Sequence, residues 1–338
     1  MWLRKITKSR ARKTIVVLIL TCFLFWLFTT LNAESAVKTT SLSHSLPRLV
    51  IGASSAPADS VSKSLKGSHN SKEQWECTPH DNVQILFYNR IAKCASTSFV
   101  NLLQRLASRA QFQLIFNHKG AYDWSIQDIV GVAIKIKASA HEGKRVAYAQ
   151  HFYYTDYTPH LTLNYSYVTL VRDPIDRLIS SYYYYHYSTK KYIQKMLPSE
   201  RRNETLLDCI RYSHEGCTHN LLTKYFCGHS ELCSNGSSQA LETAKYNLKH
   251  KFVAVGLVEN LTQSVQLFQK LLPAFFPPMS LDDINKILPY TNQYKRTGEV
   301  SNLVIKIIQM RNQADIELYQ FAKKLFLDKI TKCNKLVL

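Results

Sequence analysis

Four short apolar runs constrain this chain more than any other feature. They are Val83–Tyr88 (VQILFY), Val146–Gln150 (VAYAQ), Tyr165–Val171 (YSYVTLV) and Phe252–Val258 (FVAVGLV). Runs this short and free of charge suit strands buried on both faces. Helical patterns accompany them. Thr97–Ala110 carries Phe99, Leu102, Leu103 and Leu106 at helical spacing, and Pro174 suits the first turn of a helix from Ile175. Glu259–Leu272 and Val304–Phe326 also read as helices. Apolar strands alternating with helices predict an α/β fold with a central, mainly parallel sheet flanked by helices. Such sheets bind ligands beyond the carboxyl ends of their strands, so the chemistry belongs in the loops that follow these runs.

Thr14–Leu31 (TIVVLILTCFLFWLFTTL) is 18 residues without a charge, the lower end of what spans a bilayer. A cleaved signal peptide is the alternative, with Leu31-Asn32-Ala33 near a cleavage site; the length of the run and Trp26 favour an uncleaved anchor. Arg4, Lys5, Lys8, Arg10, Arg12 and Lys13 precede it, which places the tail in the cytosol and the rest in the lumen. A short span suits the thinner membranes of the early secretory pathway. The expected organisation is a cytosolic tail over 1–13, a transmembrane signal anchor over 14–31, a Ser-, Ala-, Lys- and Pro-rich lumenal stem over 32–75 and a folded domain over 76–338.

The formal net charge is +19; the tail holds six of the 43 Lys and Arg, leaving 37 against 24 Asp and Glu. Such a surplus attracts polyanions, and in a lumenal domain sulfated glycan fits better than nucleic acid. Sequons at Asn164, Asn203, Asn235 and Asn260 agree with a lumenal glycoprotein. Of the eight cysteines, Cys22 lies in the span. Cys209 with Cys217 and Cys227 with Cys233 read as two local disulfides rather than a zinc site, because the spacings are not CxxC and the lumen is oxidising. Cys77 and Cys333 flank the domain as a third candidate pair.

The loop Arg90–Ser98 follows the first strand and opens a helix. Backbone N–H groups at a helix N-terminus attract phosphate; Ser96, Thr97 and Ser98 add hydroxyls and Lys93 a charge. A phosphate cradle and a simple capped turn both fit these residues. The nucleotide-triphosphate pattern GxxxxGK followed by Ser or Thr is absent.

YNRIAKCASTSF (Tyr88–Phe99), VRDPIDRLIS (Val171–Ser180) and CGHSELC (Cys227–Cys233), in this order, resemble the Golgi uronosyl 2-O-sulfotransferases of glycosaminoglycans, which include heparan sulfate 2-O-sulfotransferase and uronyl 2-sulfotransferase. The resemblance runs from about residue 83 to 330. It implies a P-loop-NTPase-like sulfotransferase fold, a type II Golgi membrane protein with a lumenal catalytic domain, a homotrimer, and 3′-phosphoadenosine-5′-phosphosulfate (PAPS) as donor with no metal. By the resemblance, Lys93, Cys94, Ala95, Ser96, Thr97 and Ser98 hold the 5′-phosphosulfate, and Arg172 and Ser180 the 3′-phosphate. Arg296 and Thr297 fall in a late loop that closes over the nucleotide, and Arg90 and Asn101 touch the glycan. His151 matches the catalytic base; a second His that the heparan enzyme carries two residues earlier is Ala149 here.

The implied reaction is in-line: His151 deprotonates a uronic acid 2-hydroxyl, whose oxygen attacks sulfur, while Lys93 steadies the leaving phosphate. A basic stretch at Lys190, Lys191, Lys195, Arg201 and Arg202 reads either as a sulfate grip or as a solvated surface. The tyrosines Tyr182–Tyr185 are expected partly in the core and partly at the sugar groove. Ala95–Phe99 and CGHS resemble the heparan enzyme and Lys93-Cys94 the dermatan and chondroitin enzyme; heparan sulfate is the expected acceptor, with dermatan or chondroitin sulfate as the alternative. A lumenal kinase and an inactive glycan-binding paralogue are the rival classes.

Overall fold

The computed structural model of the chain describes residues 77–116, 124–188, 190–288 and 299–335. Five strands, β1 (Ile85–Asn89), β2 (Phe112–Phe116), β3 (Arg145–Gln150), β4 (Tyr165–Val171) and β5 (Phe252–Leu257), form one sheet in the order β2-β3-β1-β4-β5. Every pairing in it is parallel. Four of the five are the apolar runs, and β1, β3 and β5 are buried along almost their whole length, as a sheet covered on both faces requires. The chain leaves central β1 for edge strand β2, returns to β3 beside β1, then crosses to β4 on its other side. That reversal opens a crevice at the carboxyl ends of β1, β3 and β4.

The helices of ten or more residues are α1 (Ser96–Arg109), α2 (Ile126–Ser139), α3 (Pro174–Tyr187), α4 (Ser238–His250), α5 (Leu261–Leu271), α6 (Asn302–Arg311) and α7 (Gln313–Lys335). α1 and α5 cover one face of the sheet, where the Phe99 ring sits 4.5 Å from Tyr88 and 5.7 Å from Phe268. Gly256 lets α5 lie close, since a Cβ there would meet Leu170 and Ser264 at 2.7 Å. On the other face Phe87 stacks between Tyr157 at 4.7 Å and Tyr167 at 4.9 Å. Each such ring buries roughly 150–250 Å², so this layer anchors the strand order.

Of the elements labelled above, β2, α2 and α4 were not foreseen. β2 (FQLIF) is an edge strand whose Gln113 is exposed, and the turn into it is made by Gln111 at φ 52° rather than by a glycine. α2 begins with a capping box in which Ser125 and Asp128 bond reciprocally, a signature readable in the sequence. The single helix expected over 304–326 is two helices, α6 and α7. They break at Asn312, fully buried, whose Nδ2 donates to the Ile308 carbonyl at 2.9 Å and whose Oδ1 accepts from Asn220 N at 3.1 Å. An asparagine that satisfies the backbone groups freed at a break can end a helix where the apolar pattern runs on.

Three disulfides are present among the described residues: Cys209–Cys217, Cys227–Cys233 and Cys77–Cys333. Among the described residues no helix is long and apolar enough to cross a membrane. The expected tail, anchor and stem over 1–75 lie outside the described residues, as do Arg296 and Thr297.

Candidate active site

His151 is the first residue after β3 and Arg90 the first after β1; their strands end in register, Asn89 beside Gln150. The crevice floor is polar where the strands end. Asn89 Nδ2 donates to the Phe152 carbonyl at 2.7 Å, and Thr169 Oγ1 donates to the Asn89 carbonyl at 2.8 Å. These bonds tie the ends of β1 and β4 to the segment that carries His151.

The His151 Nδ1 lies 2.9 Å from the Arg90 carbonyl oxygen. A carbonyl only accepts, so Nδ1 carries the proton and Nε2 the lone pair. Burial, followed by the Arg90 charge, pushes the His151 pKa down to about 4 against a weaker pull upward from that hydrogen bond. The ring is therefore neutral near pH 7, the state a proton acceptor needs. Ala149, fully buried, pairs in register with Tyr88, so the position two before His151 is filled by strand packing.

The loop after β1 is shaped to bind an anion. Lys93 (φ 67°) and Ala95 (φ 53°) are left-handed on either side of Cys94, which is not, the alternation of backbone sign that makes N–H groups converge. Neither is a glycine, so the conformation is held at a cost of about 1–2 kcal/mol per residue. α1 then starts at Ser96 with no side-chain cap and no acid in its first turn, leaving its N–H groups and positive dipole end toward the crevice. Ser96 is buried, Ser98 half-buried and Thr97 exposed. The Cys94 side chain is fully buried, and burial pushes its thiol up to about 12; only its backbone can face a ligand.

Cations converge on this loop. Arg172, 7% exposed at the end of β4, reaches the Lys93 carbonyl with Nη1 at 3.5 Å. Burial, then Arg172, then Lys190 push the Lys93 pKa down to about 8. The Lys93 ammonium sits 4.0 Å from the centre of the Tyr184 ring. Ser180, half-buried, lies one helical turn before Tyr184 on α3 and so on the same face. Like charges this close, beside an uncapped helix start, suit a ligand with several negative charges.

The turn before α3 is fixed by Asp173, whose Oδ1 accepts from Ile175 N at 2.9 Å and Asp176 N at 3.1 Å, while its own N–H donates to Glu259 Oε1 at 2.8 Å. Asp173→Ala is expected to destabilise the fold by about 1 kcal/mol, the usual worth of an N-cap, as the shift of the urea midpoint at unchanged slope.

Arg90 is 4% exposed and stands against His151, whereas Asn101 is exposed on α1 one turn after Thr97. Lys190, Lys191, Lys195 and Arg202 are exposed; Arg201 is committed to Glu215 at 2.6 Å. Tyr182 and Tyr183 are buried and Tyr184 and Tyr185 half-buried. Asn164, Asn203, Asn235 and Asn260 are all exposed. Among the described residues no group of three or more His, Cys, Asp or Glu is placed to hold a metal. Sequence reasoning did not find the Arg90 carbonyl, and it named Tyr184 only within a run divided between core and sugar groove, not against Lys93. The four-residue step from Ser180 to Tyr184 was the available signal for the second; no side-chain pattern signals a backbone carbonyl.

The profile of the family described as "Sulfotransferase family" matches residues 80–322. The chain is 32% identical over 199 residues to a protein named Heparan sulfate 2-O-sulfotransferase 1 from Xenopus laevis, covering 57% of this chain and 56% of that one. It is 29% identical over 254 residues to the protein of that name from Cricetulus griseus, covering 72% and 70%. With Heparin sulfate O-sulfotransferase from Drosophila melanogaster it is 26% identical over 276 residues, covering 79% and 78%. The chain thus spans little more than half the length of the Xenopus relative.

Proposed function

The chain belongs to the sulfotransferase family, and from that premise we propose that it transfers a sulfuryl group from PAPS to the 2-hydroxyl of uronic acids in heparan sulfate. The observation that carries the proposal is His151, neutral, with Nδ1–H committed to the Arg90 carbonyl, at the same strand ends as the Lys93 loop. The names of the relatives support the acceptor.

Each residue has a part in this reading. His151 Nε2 takes the proton of the 2-hydroxyl as that oxygen bonds to sulfur. Lys93 and the N–H groups opening α1 hold the charge that gathers on the phosphate oxygen as its bond to sulfur breaks. Adenosine 3′,5′-bisphosphate is the leaving group. Arg172 grips the 3′-phosphate, where a guanidinium suits a phosphate monoester, and Ser180 completes its shell. Ser96, Thr97 and Ser98 line the 5′ side, with the backbone of Cys94 and Ala95; Arg296 and Thr297 belong to the closing loop. Arg90, Asn101 and the exposed lysines from Lys190 onward meet the glycan. Anchoring in the Golgi membrane through residues 14–31, glycosylation at the four sequons and a homotrimer belong to the same proposal.

The test is transfer of radiolabelled sulfate from PAPS by the purified domain, offered N-sulfated heparosan, desulfated dermatan and chondroitin in parallel. Label on the uronic acid 2-position of heparosan is the expected result. Label on dermatan or chondroitin alone would move the acceptor to the class that Lys93-Cys94 resembles. No label, from folded protein that binds adenosine 3′,5′-bisphosphate, would overturn the reading in favour of an inactive paralogue.

A further inference from the structure

Lys93 occupies an unfavourable place for an ammonium. It is mostly buried, and two cations on different elements act on it: Arg172 from the end of β4 and Lys190 from the segment after α3. The other ionisable groups there are Cys94 in the loop itself, and Arg177 on α3 and Glu259 after β5, which reach Cys94. An aromatic face offsets part of this. The ammonium lies 4.0 Å from the Tyr184 ring centre, well inside the range of a cation–π contact, and the Tyr184 hydroxyl meets the Tyr192 hydroxyl at 3.3 Å. We propose that Tyr184 is a positioning residue for Lys93: its ring holds the ammonium, as a charged group, at the mouth of the phosphate loop until an anionic donor takes it over.

An aromatic face suits this task better than a carboxylate. A carboxylate would hold Lys93 more tightly, but it would also repel the phosphates of the incoming donor and compete with them for the lysine. A ring attracts the ammonium through its quadrupole and carries no formal charge. The ring sits on α3, the same helix that presents Ser180 one turn earlier and whose N-terminus follows Arg172. One rigid element therefore sets the position of the lysine relative to the groups proposed for the 3′-phosphate.

This inference rests on the sulfotransferase reading for its catalytic consequence, but not for its physical test. The rate of amine labelling at Lys93, followed by mass spectrometry against pH in the absence of any donor, reports the charge of the lysine directly. In Tyr184→Phe, which keeps the ring, the labelling profile is expected to match the wild type. In Tyr184→Leu it is expected to move down by about 0.5–1.5 pH units, the equivalent of a lost cation–π contact. Removing the ring destabilises the ammonium, so the lysine loses its proton at lower pH, and the alkaline limb of kcat/KM for PAPS should move down with it. Should the leucine variant not fold, Tyr184→Met supplies a flexible apolar replacement in the same helix. An unchanged labelling profile in a folded ring-less variant would overturn the proposal. So would a phenylalanine variant shifted as far as the leucine one, which would assign the effect to the Tyr184–Tyr192 hydroxyl contact. A shift in labelling from a protein that transfers no sulfate would retain the positioning role and remove the sulfotransferase reading instead.

Discussion

Replacing His151 by alanine is expected to lower kcat on the order of 10²–10⁴-fold, the usual worth of a positioned general base, with PAPS affinity changed less than about threefold. The split follows from placement. His151 leaves β3 at the crevice and is held by the Arg90 carbonyl, while the groups proposed for the donor lie on the loop before α1 and at the start of α3. A variant that loses donor affinity as much as turnover would assign His151 to donor binding. The pH profile adds a second check. In free enzyme the imidazole is pushed down to about 4, so the acid limb of kcat/KM for the donor should lie well below the 6.5 of an ordinary histidine. Bound donor brings negative charge near the ring and raises its pKa, so the acid limb of kcat should lie above that of kcat/KM. Both limbs should disappear from the residual activity of the alanine variant. A histidine that served only as a structural prop would produce no such pair of limbs.

The relation between sequence and site follows the same physical lines. β1, β3, β4 and β5 were legible because a strand buried on both faces has to be apolar throughout, and these runs are too short for a buried helix. β2 was not, because an edge strand of five residues with Gln113 outward resembles the end of a helix more than a sheet. The break at Asn312 was hidden for a related reason: apolar residues continue across it, and what ends α6 is a buried side-chain amide bonded to Ile308 and Asn220. That second partner is 92 residues distant in the chain, and local patterns do not report such contacts. At the site, Lys93, His151 and Arg172 could be named from motif resemblance. Their electrostatic states could not. The lowered pKa of Lys93 depends on Arg172 and Lys190 arriving from separate elements, and the tautomer of His151 depends on a carbonyl 61 residues away. Cys94 shows the same limit: the resemblance names it in the donor loop, and only the structure shows that its thiol is fully buried, leaving its backbone as the part that can face a ligand.

The Cys77–Cys333 bridge is expected to contribute more to stability than either local disulfide. It closes a loop of 256 residues, against 8 and 6 for the other two. In the chain-entropy account a loop that long is worth about 5 kcal/mol and one of six to eight residues about 2. The bridge also has structural reach. It joins the start of the folded domain to α7, whose last turn is held by Lys270 donating to the Cys333 carbonyl at 3.1 Å, and whose buried Lys329 reaches the Val253 carbonyl of β5 at 2.7 Å. Nearby, His80 N donates to the Leu271 carbonyl of α5 at 2.8 Å, so the N-terminal segment has non-covalent ties of its own. Those ties decide between two outcomes when both cysteines are changed to serine. If they keep the segment seated through the unfolding transition, the full loop entropy is felt and unfolding free energy falls by about 4–5 kcal/mol. If the segment frays first, the loop no longer spans the unit that unfolds, and the loss shrinks to about 1 kcal/mol, the worth of a hydrogen bond or two. Two bonds and a buried lysine anchoring the ends of the loop favour the first outcome. Guanidinium unfolding of the Cys77→Ser/Cys333→Ser and Cys227→Ser/Cys233→Ser pairs side by side reads the difference directly, and equal losses would refute the loop-entropy ranking.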